Sequence, residues 1–189
     1  MVGLVLCGGE SKRMGTDKGM LRSGNLTWAQ VAQKTLKDLD LPVFISVNEI
    51  QVPSYQRQFS RQHLIVDHVP VKGPLAGLLS FHYSYPETDV LVLPCDMVNM
   101  DTNTLYSLIK SYDRNRKMEG HFFLENNFIE PLCAVYSCKM LAMIAEQIVS
   151  GQLTHFALHK IISRFHISVV PIPDRSKFAN YNSIDSICN

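Results

Sequence analysis

A chain of 189 residues with 46% hydrophobic content is long enough to bury its own core, and we expect a single domain spanning residues 1–189. The 18 basic and 17 acidic side chains leave a net charge of +1, which argues against nucleic acid or a membrane surface as partner. The five cysteines form no C-x-x-C pair and no apolar run reaches about 18 residues, so we expect a reduced, cytoplasmic protein.

The first predicted element is an apolar strand that continues into a glycine-rich, basic loop, residues 4–18. Gly8 and Gly9 allow the main chain to approach a ligand closely, and successive amides there can form an anion-binding concavity. Arg13 adds a planar fork of donors and Lys18 a mobile point charge. This composition indicates a polyphosphate ligand, although the residues alone also allow a solvated basic turn.

The loop matches neither of the two common phosphate-binding motifs. A P-loop requires Lys and Ser or Thr directly after its second glycine, whereas Gly15 is followed by Thr-Asp-Lys. The dinucleotide fingerprint G-x-G-x-x-G is also absent. The loop therefore belongs to another kind of nucleotide site.

Strand and helix patterns alternate along the rest of the chain. Thr27 and Gln30 form a capping box that begins the first helix. Strands are predicted at residues 42–47, 63–66, 89–93, 120–124, 132–136 and 167–172, and short helices at residues 55–61 and 153–164. This alternation predicts an α/β fold in three layers, a mostly parallel central sheet with helices on both faces.

Polar side chains follow three of these strands at the point where each strand ends. Asn48, Asp67 and Asp96 should therefore lie at the same sheet edge as the basic loop. Asn48 and Asp67 could bind a base or ribose, or could simply be turn residues.

Asp96 follows the most apolar strand and should point into the ligand crevice. A carboxylate beside a triphosphate is repulsive, by on the order of 4 kcal/mol at about 4 Å and an intermediate dielectric. A bridging Mg²⁺ reverses that sign, because Mg²⁺ binds to one or two carboxylates together with phosphate oxygens. Asp96 is therefore a candidate Mg²⁺ ligand, and the alternative is a helix cap or a lysine partner.

The spacing G-G-x-S-x-R-M-G-x-D-K of the loop resembles the signature of the molybdenum cofactor guanylyltransferases, the MobA family. The resemblance continues in order along nearly the whole chain, at Gly73–Gly77, Pro94–Asp96, Glu130–Tyr136 and Phe178–Asn182. It implies a Rossmann-like nucleotidyltransferase fold, with a nucleotide-binding N-terminal part and a pterin-binding C-terminal part.

The resemblance also implies a reaction, in which GMP passes from GTP to the terminal phosphate of molybdenum-molybdopterin and pyrophosphate leaves. Arg13 and Lys18 would hold the triphosphate, with Lys18 offsetting charge near the α-phosphate, and Asp96 would position Mg²⁺. The positions that match nucleotide contacts in the family are Leu6, Cys7, Gly8, Gly9, Lys18, Asn48, Asp67, Gly73 and Asp96. Those that match its pterin-side motifs are Glu130, Asn180 and Asn182. A GTP-binding accessory protein and molybdoenzyme chaperones are the implied protein partners.

Three alternatives stay open: a cytidylyltransferase acting on the same pterin, a sugar-phosphate nucleotidyltransferase, and a non-catalytic GTP-binding module. Related cytidylyl enzymes typically show Ala-Ala-Gly where this chain has Cys7-Gly8-Gly9, so the Gly-Gly form favours guanine. Cys7 itself departs from the alanine usual in the family but keeps a small side chain. Retention of the basic loop residues together with Asp96 argues against a binding module.

Overall fold

The computed structural model describes residues 1–8 and 17–181. The strands in these ranges are β1 (Val2–Leu6), β2 (Arg22–Ser23), β3 (Leu26–Thr27), β4 (Val43–Val47), β5 (Leu64–Val66), β6 (Val90–Pro94), β7 (Gly120–Glu125), β8 (Phe128–Tyr136) and β9 (Ile167–Pro171). The α-helices are α1 (Trp28–Lys37), α2 (Val52–Tyr55), α3 (Pro74–Ser84), α4 (Thr102–Arg114), α5 (Cys138–Val149) and α6 (Leu158–Ile162). None of the helices in these ranges has the length and hydropathy needed to cross a membrane.

Seven strands form one sheet in the order β5-β4-β1-β6-β8-β7-β9, and β2 and β3 form a separate ribbon. Within the large sheet β8 runs antiparallel to its neighbours β6 and β7, and the other adjacent pairs are parallel. The prediction of a mostly parallel central sheet is therefore confirmed.

The sheet separates two apolar clusters. Successive residues of a strand point to opposite faces, so Leu4 and Val92 pack with α3, α5 and α6, whereas Val5 and Leu91 pack with α1 and α4. Residues 90–93 of β6 are all 0% exposed, as expected for a strand covered on both faces. Helices on both sides of the sheet complete the predicted three layers.

Three local predictions need correction. The helix expected at 55–61 is wrong apart from Tyr55, because α2 covers Val52–Tyr55, where Pro53 suits the first turn of a helix, and residues 56–60 are not helical. The helix expected at 153–164 is limited to α6. The strand expected at 132–136 begins at Phe128, because Asn126 and Asn127 both adopt positive φ and close a two-residue hairpin between β7 and β8.

Helix α3 approaches the sheet closely at Gly77. A Cβ atom there would lie 2.3 Å from Ser46 Oγ and 3.0 Å from Leu6 Cδ2, and both neighbours are buried. The motif glycine thus sets the distance between α3 and the strands that end at the ligand edge.

We expect Gly77→Ala to lower the free energy of unfolding by about 1–2 kcal/mol, because the overpacking cost exceeds the gain in helix propensity. Urea denaturation measures the change. In a Ser46→Ala background the loss should shrink, since the closest atom is gone. Unchanged or increased stability of Gly77→Ala alone would contradict this account of the glycine.

Candidate active site

Gly8, Lys18, Asn48, Asp67 and Asp96 meet at one edge of the sheet. They follow β1, β4, β5 and β6, which are adjacent parallel strands whose carboxyl ends point the same way. Main-chain hydrogen bonds continue the ladder past the strand ends, from Gly8 N to Ser46 O at 3.1 Å and from Cys95 N to Leu6 O at 3.1 Å. The structure therefore brings these predicted site residues together.

Lys18 and Asp96 form the central contact of this edge. The Nζ atom of Lys18 lies 2.9 Å from Oδ2 of Asp96, although the residues are 78 positions apart. Their side chains are 25% and 19% exposed, so the pair is partly shielded but open to a ligand. A lysine partner was the alternative role that the sequence allowed for Asp96. Lys18 is this partner, and it is also the lysine expected to hold the triphosphate.

Asp96 also fits the donor set expected of a Mg²⁺ ligand. Among residues 1–8 and 17–181, the side-chain contact of Asp96 is the one with Lys18 Nζ, made through Oδ2. Residues 1–8 and 17–181 contain no group of three or more His, Cys, Asp or Glu side chains that could hold a metal. A single partly exposed carboxylate that shares the ion with phosphate oxygens is the arrangement Mg²⁺ favours.

Glu130 and the C-terminal segment lie on the same side as Asp96. Burial raises the pKa of Glu130, whereas the hydrogen bond from Leu132 N–H and the charge of Arg175 lower it. The negative charge of Asp96 also raises this pKa, so the carboxylates of Glu130 and Asp96 interact electrostatically. Tyr181 N donates to Asp96 O at 3.2 Å. Asn180, predicted to face the pterin, is exposed and directly precedes Tyr181.

A cleft with a volume of about 410 Å³ opens at the same sheet edge, between the end of β5 and the start of α3. It is lined by Asn48, Asp67, Val69, Val71, Lys72, Gly73 and Ala76. Ligand sites typically measure about 300–1,000 Å³ and combine apolar walls with a few polar groups, so this cleft suits a nucleoside. The sequence predicted Asn48 and Asp67 at this position, but it did not predict Val69 and Val71, which belong to no recognisable motif.

Asp67 is a carboxylate in an unfavourable environment. Burial raises the pKa of Asp67 to about 6, and the hydrogen bond from Ser46 Oγ at 2.9 Å and the charge of His68 offset only part of that effect. A Cβ atom at position 8 would lie 2.5 Å from Asp67 Oδ2. Gly8 is therefore required for this carboxylate to sit where it does.

Asn48 has a structural role as well as its place in the cleft. Its Oδ1 accepts from Gln51 N at 3.0 Å, and its N–H donates to Gln51 Oε1 at 2.9 Å. This capping box begins a single 3₁₀ turn at residues 49–51. The turn-residue alternative for Asn48 is therefore correct, and it does not exclude ligand contact.

Gly73 begins α3 at the rim of the cleft. Its φ of 73° and ψ of −158° belong to a region that is essentially restricted to glycine. Pro74 then occupies the first turn of the helix, and the amides that follow point toward the cleft end of α3. A helix N-terminus in this position favours an anionic ligand.

The remaining predicted residues divide into two groups. Leu6 and Cys7 have buried side chains, 6% and 7% exposed, so only their main chain can face a ligand. Gly9, Arg13 and Asn182 lie outside the described residues, and their assigned roles stay predictions.

A hydrogen-bonded group beneath Lys18 was not found from the sequence. The Asp17 carboxylate accepts from Gln51 Nε2 at 2.9 Å, from Gly19 N at 3.0 Å and from Tyr55 OH at 3.2 Å. Asp17 belongs to the signature loop, which was the only available signal. Gln51 and Tyr55 lie more than 30 positions away and carry no recognisable pattern.

The fold and the arrangement of this edge define the protein as an enzyme of the nucleotidyltransferase class. The chain belongs to the family described as MobA-like NTP transferase domain, whose sequence model matches residues 3–162.

Individual relatives agree with this family. The chain is 27% identical to a probable molybdenum cofactor guanylyltransferase of Pyrococcus horikoshii, over 96% of this chain and 94% of that protein. It is 28% identical to a molybdenum cofactor biosynthesis bifunctional protein of Synechocystis, over 72% of this chain but only 39% of the relative. The crystal structure of molybdopterin-guanine dinucleotide biosynthesis protein A from Archaeoglobus fulgidus superposes with a TM-score of 0.79 at 18% identity, covering 100% and 98% of the two chains. At that identity the likeness establishes the fold.

The raised pKa of Asp67 has a measurable effect on stability. The folded protein holds a proton on Asp67 up to a pH of about 6, whereas the unfolded chain releases it near 3.8. The cost of the ionised carboxylate therefore develops as the pH rises through this window and is complete above it. We expect Asp67→Asn to raise the free energy of unfolding by at most about 3 kcal/mol at about pH 8, with the gain disappearing near pH 4.

Denaturant titrations at several pH values measure this gain. Asp101→Asn is the matched control, because the backbone N–H of Thr104 lowers the pKa of Asp101. Its ionised form stabilises the folded state, so the control should change stability in the opposite direction. A destabilised Asp67→Asn protein at about pH 8 would show that the carboxylate is better solvated than the structure indicates.

Proposed function

We propose that this protein transfers GMP from GTP to the terminal phosphate of molybdenum-molybdopterin, releasing pyrophosphate and forming the guanine dinucleotide form of the cofactor. The observation that carries the proposal is the Lys18–Asp96 pair, which lies at the same sheet edge as the nucleoside-sized cleft. The choice of molybdopterin as acceptor and guanine as base rests on similarity to proteins named for these two groups.

Asp67 is suited to guanine in particular. Guanine presents two adjacent donors, N1–H and the N2 amino group, and an ionised carboxylate can accept from both. Cytosine and adenine each place a ring-nitrogen acceptor next to their amino group, which would face the second carboxylate oxygen unfavourably. The base lies in the cleft between Asp67 and the apolar side chains of Val69 and Val71.

The phosphates extend from this cleft toward Lys18 and the basic loop. Arg13 and Lys18 hold the triphosphate, and Lys18 stabilises the charge that develops near the α-phosphate. Nucleotidyltransferases of this family use a divalent metal, and Asp96 would hold Mg²⁺, which would supply positive charge to offset that of the phosphates. Leu6, Cys7, Gly8, Gly9, Asn48 and Gly73 shape the nucleotide side of the site through main chain and turns.

The C-terminal part binds the acceptor. Glu130, Asn180 and Asn182 bind the pterin, which approaches Asp96 from the side opposite the nucleotide. The acceptor phosphate itself attacks the α-phosphate of GTP. The protein therefore has to align the two phosphates and does not need to supply a nucleophile. One domain spanning residues 1–189 then holds both substrates. In the cytoplasm, a GTP-binding accessory protein and molybdoenzyme chaperones are its partners.

Pyrophosphate release from purified protein, Mg²⁺ and molybdenum-loaded pterin tests the proposal with GTP, CTP, ATP and UTP in parallel. We expect pyrophosphate release with GTP and none with CTP, ATP or UTP. Turnover with CTP would identify a cytidylyltransferase, and turnover only with a sugar phosphate acceptor would identify a different transferase. GTP binding without turnover would identify a binding module.

Lys18→Ala and Asp96→Ala should each lower kcat by about 100-fold or more, because each removes charge stabilisation at the reacting phosphate. Thermal unfolding of both variants checks that the fold persists. Near-normal turnover in both variants would refute their assignment to the reaction.

The pKa of Asp67 gives a second signature of the base contact. As the pH falls below about 6 the carboxylate gains a proton, loses acceptor capacity, and the KM for GTP should rise. ITP lacks the N2 amino group, so wild-type protein should prefer GTP by about tenfold in kcat/KM, and Asp67→Asn should lose that preference. A preference for GTP that survives Asp67→Asn would place base recognition elsewhere.

A further inference from the structure

Three side chains tie the backbone that carries Lys18 to the nucleotide cleft. Asp17 directly precedes Lys18 and caps the short 3₁₀ turn Lys18–Met20. Gln51 and Tyr55 hold its carboxylate from the far side. Both residues lie outside the signature loop.

Gln51 joins three segments that converge at the ligand edge. Its Nε2 group donates to Cys7 O at 3.1 Å and to Asp17 Oδ2 at 2.9 Å, which uses both amide protons. Its Oε1 atom accepts from Asn48 N at 2.9 Å. Gln51 is only 9% exposed, so this carboxamide is a fixed link between the end of β1, the signature loop and the cleft.

Tyr55 fixes the second oxygen of the Asp17 carboxylate. Its ring is 0% exposed and stacks against Phe59 with centroids 5.7 Å apart, so the hydroxyl has little freedom. A Cβ atom at Gly19 would lie within 2.0 Å of that hydroxyl, which shows how closely the Lys18–Met20 turn rests on Tyr55.

The same hydrogen bonds also offset the negative charge of Asp17. Asp17 and Lys18 are consecutive, and a free carboxylate beside a triphosphate is repulsive. Three donors, from Gln51, Tyr55 and Gly19, satisfy the Asp17 carboxylate on the protein side. The lysine is thereby left on the side of Asp96, 2.9 Å from its carboxylate.

We infer that Gln51 and Tyr55 are positioning residues for Lys18, acting through Asp17, and that Gln51 couples this position to the Asn48 side of the cleft. The inference rests on the proposed function in so far as Lys18 binds a nucleoside triphosphate. It adds two residues outside the signature loop to the machinery of the site.

Titration calorimetry with GTP and Mg²⁺, without an acceptor, tests the inference. Tyr55→Phe keeps the buried ring and removes one hydroxyl. In an otherwise wild-type protein it should weaken GTP binding by about tenfold. Gln51→Leu removes the carboxamide and should weaken binding by at least as much. Tyr112→Phe is the matched control, because its hydroxyl also donates to a carboxylate, Asp89, but at 2.7 Å on the opposite edge of the sheet. It should leave affinity unchanged.

A Lys18→Ala background separates positioning from general stability. If Tyr55 acts through Lys18, Tyr55→Phe has no further effect on GTP affinity in that background. Equal losses with and without Lys18 would overturn the inference, as would unchanged affinity in both Tyr55→Phe and Gln51→Leu. Binding of another nucleoside triphosphate in place of GTP would instead refute the proposed base, and the same comparison with that nucleotide would still decide the role of Tyr55.

Discussion

The ion pair between Lys18 and Asp96 is the contact on which the rest of the site depends. Asp96 follows β6 directly and β1 is the parallel neighbour of β6, with Leu6 opposite Pro94, while the hydrogen bonds of Asp17 with Gln51 and Tyr55 hold the backbone of Lys18. Their opposite charges compensate each other at 2.9 Å in a partly shielded position. A site for a polyanion needs both signs here, since the lysine attracts phosphate and the carboxylate can bind a cation that phosphate also binds.

Two separate glycine motifs serve a second contact, between Ser46 and Asp67. A side chain at Gly8 would collide with Asp67, and one at Gly77 would collide with Ser46. The glycine-rich loop after β1 and the glycine of α3 therefore leave room on two sides for the same hydrogen bond of 2.9 Å. This explains why both motifs contain glycine at these positions, in addition to any direct approach of the main chain to a nucleotide.

Local patterns were sufficient to predict the sheet and its ligand edge. The apolar run of residues 90–93 identified a strand buried on both faces, and the strand ends located Asn48, Asp67 and Asp96 together. The contacts of Gln51 and Tyr55 with Asp17 could not be predicted, because they join residues 34 and 38 positions apart and depend on tertiary packing. The early start of β8 was missed because Glu130 and Pro131 interrupt its apolar pattern, whereas pairing with β7 continues back to Phe128.

The reversed strand β8 explains how the C-terminal half reaches the same edge. Six strands of the sheet run in one direction and β8 runs in the other, so the beginning of β8 lies beside the carboxyl ends of its neighbours. Glu130 therefore arrives near Asp96 from the start of a strand, and the chain after β9 returns to Asp96 through Tyr181. Because β6 is the last of the adjacent parallel strands before the reversal, Asp96 stands at the boundary between the two halves. A group at that boundary can face a nucleotide on one side and an acceptor on the other without any movement of the sheet.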